Sequence, residues 1–269
     1  MHFLLTNDDG VRHPGLAALA AALRGHGRVT VIAPDRNWSA SGHVKTLHKP
    51  LRVEAAQLAD GSAALASNGA PSDCVALALL GLVEEPVDVV VAGINPNANL
   101  GHDVTYSGTV TAAMEAVIAG VPGLAVSRRR DEADSFAVAA EVGAALALRI
   151  AQAGLPPYTL LNVNVPGGTW AAVRGVKVTH QGLRTYRDEL DRRVDPWGRP
   201  YYWIGGEAPT GVPGDGSDIQ ALEEGFVSVT PIQLDFTAHG FLDELRAWGL
   251  EEGLPHGLGA PGGRAAPSA

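Results

Sequence analysis

Two carboxylates stand side by side near the start of the chain, in the run His2-Phe3-Leu4-Leu5-Thr6-Asn7-Asp8-Asp9-Gly10. A short apolar run that stops at a turn glycine reads as a central strand of a parallel sheet. Ligands of open α/β sheets bind beyond the carboxyl ends of the strands. Adjacent carboxylates at such a place repel each other, and an oxygen-seeking cation, Mg²⁺ or Mn²⁺, removes the repulsion. A single Asp before Gly would read as a helix N-cap. The second Asp shifts the reading to a metal. Two more polar groups follow apolar runs: Ser39, within the loop 35–43, and Asn95, in Gly93-Ile94-Asn95. Taken singly, Ser39 is a loop hydroxyl and Asn95 a turn residue. Together with Asp8 and Asp9 they make an all-oxygen set, with water filling the remaining positions. Asp8, Asp9, Ser39 and Asn95 are therefore the expected metal ligands, and Asp8, Asp9 and Asn95 the expected catalytic residues.

A further element is Tyr106-Ser107-Gly108-Thr109-Val110, which enters a helical stretch. A serine there is usually a cap, and Glu115 lies too far on to complete a capping box. Ser-Gly-Thr also offers backbone N–H groups to an anion, with the helix dipole behind them, and glycine permits close approach. Beside a metal, Ser107, Gly108 and Thr109 are expected to bind phosphate. His43, His102 and His239 lie in polar segments and are candidates for acid–base or supporting roles. Most of the nine histidines are expected to be surface or packing residues. Trp38 and Tyr106 are candidates for stacking on a base, though such residues more often pack.

The elements that must position these groups follow from periodicity. Helices are expected over residues 14–23, 71–82, 107–118 and 133–153. Strands are expected over 28–33, 51–55, 87–92, 124–127, 159–165 and 226–231. Strands alternating with helices imply right-handed βαβ units and a doubly wound, mostly parallel, Rossmann-like sheet over roughly the first 165 residues. Residues 181–206, rich in Arg, Asp, Tyr and Trp, read as a projecting β-hairpin, with Asp195-Pro196-Trp197-Gly198 as its turn. The α/β domain is expected to span 1–250 with this C-terminal elaboration, and 253–269, of Gly, Pro and Ala, to be a flexible tail.

Composition bounds the function. The chain has 269 residues, enough for one large α/β domain. Its formal charge is −9, which lacks the footprint of a general nucleic-acid binder. No stretch of membrane-spanning length is free of polar breaks, and no signal peptide is expected. Cys74 is the only cysteine, so neither an intrachain disulfide nor a cysteine-based zinc site is expected. These features point to the cytoplasm.

The segments LLTNDDG, APDRNWSASGH, GINPNANLGHDVTYSGTV and FVSVTPI resemble, in order and spacing, the SurE family of stationary-phase survival proteins. The likeness extends to about Leu250. It implies a metal-dependent phosphatase acting on nucleoside monophosphates. It also implies metal ligation by Asp8, Asp9, Ser39 and Asn95, phosphate contact by Ser107, Gly108 and Thr109, and a hairpin that exchanges between subunits. Pro96-Asn97, Ala70 and Trp38 depart from the commoner family residues, and none removes a ligand. The expected activity is hydrolysis of nucleoside 5′(3′)-monophosphates with one divalent cation, in a homodimer or homotetramer built through the hairpin, with no nucleic-acid or membrane partner. Whether water or a side chain attacks phosphorus stays open at this level. A rival reading is a Mg²⁺-binding receiver module, which also carries an acidic pair after its first strand. It needs a lysine near the phosphate, and only Lys45, Lys49 and Lys177 exist. A nucleotide-binding protein without turnover is the third reading.

Overall fold

Strand β1 (His2–Thr6) is buried along its whole length and lies at the centre of the sheet. In the computed structural model, which describes residues 1–130, 135–212 and 214–250, it pairs in parallel with β2 (Arg28–Pro34) and with β5 (Val89–Asn95). The remaining strands are β3 (Val53–Gln57), β4 (Ala63–Ser67), β6 (Gly123–Arg128), β7 (Thr159–Val165), β8 (Gly175–Val178) and β11 (Phe226–Gln233). They form one nine-stranded sheet in the order β3-β4-β2-β1-β5-β6-β7-β11-β8. Only β3 against β4 and β7 against β11 are antiparallel. The strand order turns back on itself between β1 and β5, and that is the switch point at which doubly wound sheets place ligands.

Helices cover both faces, which is why the central strands read as continuous apolar runs. Phe3 and Leu5 face α1 (Pro14–Arg24) and α4 (Ala137–Ala153), joined there by Leu16, Leu19, Leu23, Val91 and Val126. Leu4 points the other way, with Val90 and Ala92, toward α2 (Pro71–Leu77) and α3 (Gly108–Ile118). Ala112 and Ala116 let α3 sit close to the sheet, so the position of its N-terminus is set by buried packing.

Several elements differ from the expectation. The helix expected over 71–82 ends at Leu77 and continues as one π turn, Ala78–Leu82, because Gly81 adopts φ +123. The last helix of the core starts at Ala137, after Phe136; residues 131–134 lie outside the described residues. The fifth strand starts at Val89, since the Asp88 carboxylate turns back to accept the His2 N–H at 2.7 Å. β3 lies two residues later than expected. The alanine-rich β4, the four-residue edge strand β8 and the short helix α5 (Asp218–Glu223) were not foreseen: alanine is a poor strand former and four to six residues carry little periodicity.

The hairpin is present but longer, with β9 (Arg184–Val194) against β10 (Pro200–Gly211) and a bulge between Glu207 and Thr210. Its turn is closed by Gly198 N–H donating to Asp195 O (3.0 Å) and Trp197 N–H to Asp195 Oδ1 (2.9 Å). It forms a separate two-stranded sheet, and Leu190, Trp197, Trp203 and Ile204 are exposed on it. The sheet, its helices and the hairpin belong to one compact unit, Met1–Leu234. A second unit begins at Asp235 and contains a 3₁₀ turn, His239–Phe241, and α6 (Leu242–Arg246). The expected tail at 253–269 lies outside the described residues.

Candidate active site

Asp8 and Asp9 leave the end of β1 at the switch point. Asn7 folds the turn, its Nδ2 donating to Gly10 O (3.0 Å) and its Oδ1 accepting the Gly10 N–H (3.2 Å). Gly10 has φ +101, and a Cβ there would meet the Arg36 backbone at 3.2 Å. The turn therefore needs glycine to pass under the loop that carries Ser39. That loop is fastened from the same side: Trp38 N–H donates to Asp8 O at 2.7 Å, and Ser39 N–H to Asn37 Oδ1 at 2.7 Å.

Asp8 is buried, and the Thr109 hydroxyl donates to its Oδ1 at 2.5 Å. A Cβ on Gly108 would lie 2.7 Å from the Asp8 Cβ, so the glycine is what lets the start of α3 reach the carboxylate. Burial raises the Asp8 pKa, and the Thr109 hydroxyl and backbone N–H oppose the rise. Asp9 is held differently. Its Oδ2 is buried with no hydrogen-bond partner, Asn37 Nδ2 lies 3.5 Å from Oδ1, and His13 Nδ1 lies 4.0 Å from Oδ2. Burial, and then the neighbouring Asp8 charge, push the Asp9 carboxyl up to about 7. One carboxylate is fixed by a hydroxyl donor, and the other keeps a buried oxygen that accepts no hydrogen bond.

Asn95 ends β5, and Thr6 pairs with Ala92, so the last residues of the two strands run out side by side. The Asn95 Nδ2 donates to Asn97 O, which leaves its Oδ1 as the acceptor to offer. Ser107 is the N-cap of α3, its Oγ accepting the Val110 N–H at 3.1 Å while its hydroxyl hydrogen remains to be given. Its own N–H donates to Asp103 O (3.1 Å). The turn at Asp8, the loop that carries Ser39, the end of β5 and the start of α3 thus meet at the switch point, with Thr109 committed to Asp8.

Sequence reasoning missed what fixes the 95–106 loop. The alternating asparagines of β7 are its anchors: Asn164 Oδ1 accepts the Asn99 N–H (2.7 Å), and Asn162 and Asn164 both donate to Asn99 O (2.9 and 3.0 Å). Asp218 accepts from the Gly101, Gly182 and Ile219 N–H groups at 2.8–2.9 Å. Asp103 accepts from the Tyr186 hydroxyl (2.6 Å) and pairs with Arg184 (2.8 Å), tying the hairpin base to the same loop. Polar residues alternating in an otherwise apolar strand were the available signal. His13 was missed too: it caps α1 by accepting the Gly15 N–H, and its ring lies edge-on to Phe136.

Among the other candidates, His43 bonds Glu115 (2.9 Å), His102 is exposed, and His239 pairs with Asp235 within the second unit. Tyr106 is exposed, whereas Trp38 is half-buried under the Arg36 guanidinium. A cleft of about 630 Å³ lies away from the acidic pair, between α2 and α3, lined by Leu79, Val83 and Val87. Among the described residues no cluster of three or more His, Cys, Asp or Glu could hold a metal, so a site here depends on neutral oxygens as well as the two carboxylates.

A sequence profile described as "Survival protein SurE" matches residues 3–188. The chain belongs to the SurE family. A relative from Chloroflexus aggregans, named 5′-nucleotidase SurE, is 53% identical over 253 residues, covering 93% of this chain and all of the relative. One of the same name from Herpetosiphon aurantiacus is 54% identical, covering 88% of this chain and 94% of its own. The crystal structure of the SurE protein from Aquifex aeolicus superposes with a TM-score of 0.79 at 39% identity, covering 93% of this chain and all of that one. The receiver alternative fails on its lysines: Lys45 pairs with Glu115, Lys49 donates to Asn68 O and Lys177 pairs with Glu224.

Proposed function

We propose that this SurE-family chain is a 5′-nucleotidase whose cation is held by Asp8, Asp9, Ser39 and Asn95 and whose substrate phosphate is received by Ser107, Gly108 and Thr109. The observation that carries the reading is the buried, partnerless Asp9 Oδ2 next to Asp8, at the switch point and beside the N-terminus of α3. The donor set fits a divalent, oxygen-seeking ion, Mg²⁺ or Mn²⁺. When bound, such an ion would neutralise phosphoryl charge and lower the pKa of water at the site.

The protein's own contribution is positional and electrostatic. Thr109 holds Asp8 in one orientation. Gly108 brings the first turn of α3, with its dipole, against Asp8, where it would face a phosphate held beside a bound cation. The Ser107 hydroxyl donates to a non-bridging oxygen while its Oγ stays fixed by Val110. Asn95 presents Oδ1 because its amide nitrogen is turned to Asn97 O, to which it donates. Asp8, Asp9 and Asn95 are the residues in the catalytic role. The substrate is a nucleoside 5′(3′)-monophosphate, and the setting is cytoplasmic. The exposed aromatic hairpin is the surface for self-association into a dimer or tetramer, since its apolar face has nothing of its own sheet to cover it. No helix among the described residues is long and apolar enough to cross a membrane.

A terminal phosphate offers several charged oxygens to this arrangement, whereas a diester offers one charge and a second substituent. The test compares p-nitrophenyl phosphate with its bis ester, and AMP with a dinucleotide, each with and without Mn²⁺. Metal-dependent turnover of the monoesters is expected. Equal or faster cleavage of the diesters overturns the reading, and binding of AMP without turnover would leave a nucleotide-binding protein only.

A further inference from the structure

The loop 35–46, which carries Ser39, runs past the acidic pair, with Trp38 N–H on Asp8 O (2.7 Å), yet the loop itself is strained. Ala40, next to Ser39, has φ +56, a left-handed conformation that a residue with a Cβ adopts only when its surroundings impose it. The surroundings are long-range. Beyond Ala40, Gly42 N–H donates to Tyr106 O (3.0 Å) and the Thr111 hydroxyl lies 3.0 Å from Gly42 O, sharing its one hydrogen with Ser107 O (2.9 Å). The Ser72 hydroxyl donates to Val44 O, and Thr46 N–H donates to Asp73 Oδ1 (2.9 Å). Between these ties sits Glu115, 7% exposed, on the inner part of α3. Both of its oxygens are used, Oε2 by His43 Nε2 (2.9 Å) and Oε1 by Lys45 Nζ (3.3 Å). The hydrogen bond from His43, then Lys45, outweigh its burial and keep its pKa below the usual range, so it is a carboxylate at neutral pH.

We propose that Glu115 is a positioning residue: by gripping His43 and Lys45 it fixes the loop that carries Ser39 to α3, the helix whose N-terminus faces the phosphate. The proposal rests on the site described under Proposed function. One buried carboxylate thereby sets the distance between a cation ligand and the phosphate cradle, although it touches neither. A neutral side chain of the same shape keeps the fold contacts but loses the charge-assisted bonds, which are about twice as strong as neutral ones. The loop is then free to relax its strain at Ala40, and Ser39 leaves its place more often.

The experiment uses the full chain. Mn²⁺ binding is measured by calorimetry, and backbone hydrogen exchange across 37–46 is measured without metal, for wild type, Glu115→Gln and Asp9→Asn. Glu115→Gln is expected to weaken Mn²⁺ binding about tenfold, the low end for residues that orient ligands from outside. It should speed exchange in the loop and leave kcat at saturating Mn²⁺ within about twofold of wild type. A purely structural role would lower the melting temperature without moving the Mn²⁺ affinity. His43→Gln removes one grip from the exposed side and should shift affinity in the same direction by less, which keeps the test alive if Glu115→Gln folds poorly. Wild-type Mn²⁺ affinity and loop exchange in Glu115→Gln, with binding lost in Asp9→Asn, overturns the positioning role alone. Wild-type affinity in both variants overturns the site itself.

Discussion

Replacing Asp9 by Asn should make the metal-free protein more stable while abolishing its dependence on a cation. The Asp9 carboxyl stands at about 7 in the folded chain against 3.8 ordinarily, through burial first and the Asp8 charge second. A tenfold change in proton affinity is worth about 1.4 kcal/mol, so the ionised group costs the fold roughly 4 kcal/mol at the ceiling. Water entry and local relaxation at an open strand end reduce this, and about 2 kcal/mol is the expected gain in Asp9→Asn. The sign follows from the raised pKa. Below about pH 4 the carboxyl is protonated in both folded and unfolded chains, and the variant gains nothing. As pH rises toward 7 the unfolded chain ionises and the folded chain resists, so wild type loses stability and the gain grows; above 7 it levels off. Thermal unfolding in EDTA at pH 4 and pH 8 measures it. For a chain of this size about 2 kcal/mol corresponds to roughly 4–8 °C. Saturating Mn²⁺ should reverse the order, since a ligand at 100 times its Kd adds about 2.7 kcal/mol to wild type alone. A variant no more stable than wild type at pH 8, or equally favoured at pH 4, refutes the idea that this carboxylate is held at a cost for a cation.

Ser39→Ala and Asn95→Ala should raise the Mn²⁺ needed for half-maximal turnover by less than either Asp substitution, because neutral oxygens bring no charge; curves superposing on wild type would make both residues loop structure. Asp218→Ala leaves three buried N–H groups without their acceptor and should cost at least about 3 kcal/mol by urea denaturation, so a loss under about 1 kcal/mol contradicts its place as the pin of the 95–106 loop. Excising 188–205 from the hairpin should at least halve the particle mass seen by light scattering, and an unchanged mass would mean that Trp197, Trp203 and Ile204 take no part in assembly.

The core was legible because its signals are local. Phe3-Leu4-Leu5 and Val89-Val90-Val91 are apolar on both faces, and such runs occur where helices cover a parallel sheet on both sides. That Asp8, Asp9 and Asn95 stand at the carboxyl ends of neighbouring strands was legible because they terminate those runs. The anchors were not. Asn162 and Asn164 look like flaws in a strand until Asn99 is seen between them, and Asp218 looks like a cap until Gly101 and Gly182 are found on its oxygens. Glu115 was dismissed as too distant for a capping box, and its partners are more than 65 residues away. Contacts at such separations leave no period in the chain. Trp38 and the hairpin aromatics were visible as residues, but their surroundings were not: Trp38 lies against the Arg36 guanidinium, while Trp197 and Trp203 are exposed.

The two aspartates, alike in sequence, are treated unlike by the fold, and that difference bears on how the site works. Asp8 receives the Thr109 hydroxyl from α3, a helix fixed by packing against the sheet, so its orientation is set by the fold. Asp9 has an oxygen with no hydrogen-bond donor, and Ser39 lies on a loop with a left-handed residue, Ala40, next to it. A site with every ligand satisfied by protein donors would bind its cation weakly, because each bond to the metal would first break another. A site with none satisfied would not hold its shape. Fixing one carboxylate and leaving its neighbour unpaired meets both demands. The helix start that locks Asp8 is also the one proposed to receive the substrate phosphate, so in that reading the same few residues would set the cation and the anion at a defined separation.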